Sequence, residues 1–112
     1  MTKTIKAKPV IRKDGDWVLS DKDNATHIIL HFPFKEYALK VRVLPVQTKG
    51  TRVDSRNWSW NGDIENPTLK PSIKTVFKDI VCHSFVNGGI ISFLGDCTHN
   101  MVNTKETLVE IV

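Results

Sequence analysis

The chain of 112 residues has no apolar run long enough to span a membrane, and its first fifteen residues, MTKTIKAKPVIRKDG, lack the apolar core of a secretory signal. These two absences give the expectation of a soluble protein in the cytoplasm, with no membrane partner. Cysteine is scarce. With only two in the chain, a disulfide framework is excluded, and in a reducing compartment such residues are thiols or thiolate ligands more often than a bridge. There is no internal repeat, no low-complexity tract and no convincing amphipathic helix. The length suits one domain, residues 1–112. Its core would be modest, and a metal or a second copy of the chain in a homodimer would add to it.

Charge of one sign is also limited. The sequence carries 16 Lys/Arg against 12 Asp/Glu, a formal +4. Residues 1–50 hold ten basic and five acidic residues, and residues 51–112 hold six and seven. A surplus of this size supports solubility and weak attraction to polyanions. It makes nucleic acid a conceivable partner without pointing to one.

What is present is strand character. Asp14-Gly15 lies between two apolar stretches, Val10-Ile11 and Trp17-Val18-Leu19, so residues 9–20 are expected to form a hairpin. The run THIILHFPF (26–34) is rich in β-branched and aromatic residues. EYALKVRVLP (36–45) alternates with a period of two, and residues 46–57 read as a polar loop. Pro67 and Pro71 exclude a regular helix across residues 58–73, Ser72 to Phe77 reads as a short strand, and TLVEIV (107–112) as a last one. The fold class expected is all-β or β-rich: a small antiparallel sandwich or partly open barrel.

The densest chemistry lies in VCHSFVNGGIISFLGDCTH (81–99), which holds both cysteines and two of the four histidines. Taking Asn87-Gly88-Gly89 as a three-residue loop sets His83 opposite Phe93. His83, Phe85, Ile91, Phe93, Cys97 and His99 then share one face, with Cys82 on the other. Thiolate and imidazole are the donors zinc prefers. Cys82, His83, Cys97 and His99 are therefore the expected ligands of a Zn2+ that staples the hairpin, Cys82 joining only through a bulge or bend around residues 82–83 or at Gly95-Asp96. In a closed site Asp96 would orient a histidine ligand or cap the turn; in an open one it would act as general base to a zinc-bound water. A metal-free nucleophile, Cys97 with His83 or His99, is a further reading. Trp58 and Trp60 with Arg56 and Lys70 have the makings of a stacking surface for single-stranded nucleic acid, although tryptophans in a small β domain usually pack in its core. His27 and His31 read as structural.

Two motifs, W-S-W-N-G-D-I-E-N-P-T-L-K-P-S-I (58–73) and C-H-S-F-V-N-G-G-I-I-S-F-L-G-D-C-T-H (82–99), resemble small phage and prophage proteins grouped as DUF6527, some of which carry the label "ammonia monooxygenase". The resemblance covers roughly residues 56–110. It implies a compact domain of phage origin with a zinc site and no established activity. The function expected on that basis is a zinc-binding accessory protein acting on a host or phage macromolecule. The alternatives are a zinc-dependent hydrolase with Asp96 as base and a single-stranded nucleic-acid binder.

Overall fold

A computed structural model of the chain describes residues 5–33, 41–77, 80–98 and 103–111. These residues form nine β-strands: β1 (Ala7–Lys13), β2 (Asp16–Leu19), β3 (His27–His31), β4 (Val41–Gln47), β5 (Trp58–Trp60), β6 (Leu69–Phe77), β7 (Ile80–Asn87), β8 (Ile90–Phe93) and β9 (Lys105–Thr107). All belong to one open sheet in the order β2-β1-β3-β4-β5-β6-β7-β8-β9. The expected all-β class is what forms. Every pairing is antiparallel except β4 with β5, which run parallel through Val46↔Trp58 and Gln47↔Ser59. No helix among the described residues is long and apolar enough to cross a membrane.

Alternation builds the core. Ile28 and Leu30 on β3, Leu44 and Val46 on β4, Leu69 and Ile73 on β6, Cys82 and Val86 on β7, and Ile91 and Phe93 on β8 all fall in one buried cluster. Strands from both halves of the sheet contribute to it, so the sheet curls around a shared interior. The segment after β9 helps hold the curl: Val109 N–H donates to His31 O at 3.0 Å and Ile111 N–H to Ile5 O at 2.7 Å. The last strand is thus Lys105–Thr107, upstream of the expected 107–112. The sheet already ends there, and the following backbone bonds to β3 and to the residues before β1.

Two hairpins rest on turns whose central residues both have positive φ, the conformation that matches strand twist. Asp14 and Gly15 have φ of 51° and 84°, as the Asp-Gly signal predicts. Gly88 and Gly89 have φ of 60° and 80°, and the pairing Asn87↔Ile90 makes theirs a two-residue turn. The three-residue loop expected there is incorrect. The correct register is Val86↔Ile91, Phe85↔Ser92 and Ser84↔Phe93. A slip of one residue exchanges the faces of a whole strand. Ile91, Phe93 and Cys97 therefore lie inside with Cys82, while His83 and the half-exposed Phe85 look outward.

The β6–β7 pairing carries a second irregularity. Leu69 pairs with Val86 and the next match is Ile73 with Ser84. Three residues of β6, Lys70, Pro71 and Ser72, thus oppose the single residue Phe85, a bulge with two residues more than a regular ladder. An insertion of two preserves the inward parity of Leu69 and Ile73 and lets the segment between them bow outward. The Lys70–Pro71 peptide within it is cis.

The loop 61–68 leading into β6 satisfies its own polar groups. Asn61 Oδ1 accepts from the N–H of Asp63 and of Thr68, and Asp63 Oδ1 from the N–H of Glu65 and Asn66, all within 3.1 Å. Hydrogen bonds from Gly89 N–H to Pro67 O and from Gly88 N–H to Thr68 Oγ1, each 2.9 Å, tie this loop to the β7–β8 turn. The N-G-D-I-E-N-P-T segment is therefore a clamp that seats β6 beside β7.

Candidate active site

On the outward face of β7, His83 stands between two partners. Its Nε2 lies 2.7 Å from Ser72 Oγ, and its Nδ1 lies 2.9 Å from Asp96 Oδ2 and 3.2 Å from Oδ1. Ser72 reaches the ring because it stands at the end of the β6 bulge, on the same face as Lys74, the residue directly opposite His83. Diagonal neighbours across an antiparallel pair are within reach of a long side chain. Ile73, 1 % exposed, anchors the next position in the core and fixes the serine's direction.

Asp96 arrives from the turn that follows β8. Thr98 N–H donates to Val81 O at 3.0 Å, and Val81 N–H to Thr98 Oγ1 at 2.7 Å. Leu94 N–H donates to His83 O at 2.9 Å. Residues 94–98 are thereby fastened along β7, and Asp96 projects beside His83. The imidazole side chain is 24 % exposed and the carboxylate 54 %, so the cluster is open to solvent at its acid end.

Protonation follows from the partners. The hydrogen bond from His83 chiefly, with Lys74 adding to it, holds the Asp96 carboxyl below its ordinary value. An ionised carboxylate accepts only, so Nδ1 carries the imidazole proton, and Nε2 offers a lone pair to the Ser72 hydroxyl. Serine, imidazole and carboxylate so linked form the relay that turns a hydroxyl into a nucleophile. It is recognised by geometry, since the chain order of its members varies among unrelated folds.

The expected zinc ligands are placed differently. Cys82 (1 % exposed) and Cys97 (8 %) are both free thiols inside the sheet. His83 is adjacent in sequence but faces outward, and both its ring nitrogens are engaged by Ser72 and Asp96. His99 lies outside the described residues. Among the described residues no three His, Cys, Asp or Glu side chains are gathered to hold a metal ion. The shared face expected for His83 and Cys97 depended on the three-residue loop: with the two-residue turn, Cys97 lies inside and His83 faces outward. Cys97 pairs its thiol with the His83 backbone instead of its ring.

The other candidates lie apart from this cluster. Trp58 and Trp60 pack against the core cluster. Arg56, one of the two basic residues of the expected stacking surface with Lys70, pairs with Asp54, Nη2 lying 2.8 Å from Oδ2 and Nε 3.1 Å from Oδ1. His27 packs against Trp17 with ring centroids 4.7 Å apart and hydrogen-bonds Thr26 through Nδ1. His31 contributes its backbone carbonyl to Val109. The residue that the sequence reading missed is Ser72. The signal for it was a serine on the outward face of a strand beside a histidine-bearing one, and only the β6–β7 register turns that into a contact.

Cys82 carries a pH consequence. Burial first, then the neighbouring Cys97 thiol, push its thiol from 9.0 up to about 12, against the opposing pull of Arg42. A group whose pKa is raised by folding adds stability that is complete below the unfolded value and lost as pH rises through the folded one. Thermal unfolding followed by circular dichroism is expected to show stability falling between pH 9 and 12, with a shallower fall in Cys82→Ala. Equal slopes would contradict this assignment.

Residues 13–94 match the model of a family described as BubE, bacterial ubiquitination-like system serine protease. The match takes in 82 of the 112 residues, counting 13 through 94, and includes Ser72 and His83; it ends two residues before Asp96. No curated protein and no solved structure matches the chain. This finding overturns the resemblance to DUF6527. With it go the phage zinc-binding accessory protein acting on a host or phage macromolecule, the zinc hydrolase with Asp96 as general base, and the single-stranded nucleic-acid binder. The two motifs behind that resemblance do contain the site: Ser72 lies in the first, and His83 and Asp96 in the second.

Proposed function

We propose, since this chain belongs to the BubE family of bacterial ubiquitination-like system serine proteases, that it hydrolyses a peptide bond through Ser72, His83 and Asp96. The observation that carries this reading is the unbroken relay from Ser72 Oγ through His83 to Asp96, at 2.7 Å and 2.9 Å. Its protein substrate would belong to such a ubiquitination-like system.

The chemistry follows from the geometry. Ser72 Oγ attacks the scissile carbonyl carbon while His83 Nε2 takes its proton, and Asp96 stabilises the imidazolium across Nδ1. Collapse of the tetrahedral intermediate breaks the C–N bond, and the amine leaves with the proton from Nε2. The acyl group remains on Ser72. A water molecule then gives its proton to His83, attacks the ester, and releases the carboxylate product as the serine recovers its proton.

A fluorophosphonate tests the reading without a known substrate. It phosphonylates an activated serine with loss of fluoride and is expected to add one group per chain, at Ser72, as located by peptide mass spectrometry. Ser72→Ala should abolish the adduct, and chelation with EDTA should leave its rate unchanged, because the serine is activated by His83. Modification at another residue, or none on the folded wild-type protein, would refute the proposal.

A further inference from the structure

The Cys97 thiol meets the backbone of His83 at both its polar groups: His83 N–H donates to Sγ at 3.1 Å, and Sγ lies 3.0 Å from His83 O; the thiol also hydrogen-bonds that of Cys82 beside it. Paired residues of an antiparallel ladder exchange one N–H and one C=O in this way. β8 ends at Phe93, opposite Ser84, and Leu94 makes only half of the next pair: its N–H donates to His83 O at 2.9 Å, but its carbonyl accepts from Cys97 N–H and leaves the His83 N–H without a strand acceptor. The thiol sulfur stands in for that missing carbonyl by accepting the His83 N–H. Cys97 directly follows Asp96, and its own N–H closes the turn by donating to Leu94 O at 3.2 Å.

We infer that Cys97 is a positioning residue of the triad: its thiol fixes the Asp96 turn in register with His83, so that the carboxylate meets Nδ1. This rests on Ser72, His83 and Asp96 acting as proposed above. The thiol touches neither the hydroxyl nor the ring, and its influence passes through Asp96. Thr98 fastens the same turn one step further along β7, but to Val81, leaving the register at His83 to Cys97 and the Leu94 amide. The thiol suits the place because a small side chain must accept the His83 N–H while staying 8 % exposed beside the buried Cys82.

The test compares Cys97→Ala and Cys97→Ser in the wild-type and Asp96→Asn backgrounds, reading the rate of fluorophosphonate labelling at Ser72. Unfolding temperatures and the downfield proton resonance of His83 Nδ1–H are recorded alongside. Loss of alignment should slow labelling roughly 10- to 100-fold in Cys97→Ala and broaden or remove the resonance. Cys97→Ser, which can still donate and accept, should restore both. In Asp96→Asn, adding Cys97→Ala should cause no further loss. If the alanine variant does not fold, Cys97→Val, close in volume but without donor or acceptor, takes its place in the comparison. An unchanged rate and resonance in the apolar variant, or the same loss in both backgrounds, would overturn the inference. Labelling that persists in Ser72→Ala would instead overturn the triad on which it rests, and the two failures are distinguishable.

Discussion

Ser72→Ala and His83→Ala are each expected to lower kcat for peptide hydrolysis by about 10^4- to 10^6-fold, and the double variant by no more than either alone. Serine and imidazole work as one unit here. The hydroxyl donates to Nε2 at 2.7 Å, and without the base it is an ordinary alcohol with a proton it cannot shed. Without the hydroxyl, the base has nothing to activate except water, which is not held at the same point. Steady-state assays on a purified substrate of the conjugation system would measure this, with unfolding curves to show that the sheet is intact. Ser72 is only partly buried and its hydroxyl is oriented outward toward His83, so the alanine variant should fold. Multiplicative losses in the double variant would show that the residues act independently, against the relay.

The second large effect is expected at Asp96. Asparagine can present an amide to Nδ1 in place of an acceptor, which favours the wrong tautomer and removes the charge that stabilises the imidazolium. For a buried triad carboxylate the loss is about 10^4-fold. Asp96 is 54 % exposed, so water can take over part of its work, and we expect roughly 10^2- to 10^3-fold in kcat with a small change in KM. The acid side of its behaviour follows from the lowered pKa. A carboxyl lowered by folding contributes fully above its unfolded value of 3.8 and loses that contribution as pH falls through the folded one. The difference in unfolding temperature between wild type and Asp96→Asn should therefore persist down to about pH 4 and close only below it. A variant with unchanged kcat would remove Asp96 from the triad.

Much of the fold was legible from local rules. Asp14-Gly15 marked the first hairpin, and β3, β4 and β7 followed from β-branched content and alternation. The segment 81–99 drew attention through its cysteines and histidines, and two of the three triad members lie in it. Its chemistry was misread because a loop count of three in place of two moves every side chain of β8 to the opposite face. That error set Cys97 on the face of the His83 ring, as ligands of one metal would be. Ser72 was hidden for a different reason. Its contact with His83 depends on how many residues of β6 oppose Phe85, and nothing local in Lys70-Pro71-Ser72 states that number. The parallel pairing of β4 with β5 was equally out of reach, because the polar stretch 48–57 states neither the direction in which the chain returns nor the strand it returns beside.

The three side chains of the site come from 25 consecutive residues, 72 through 96, on two strands and a turn that are neighbours in both sequence and space. Contacts of short sequence separation form early and open together. Amide hydrogens of β6, β7 and the 94–98 turn should consequently exchange as one unit, and a fluctuation that releases this meander disassembles nucleophile, base and acid in a single event. Loss of activity on warming would then track the opening of that local unit.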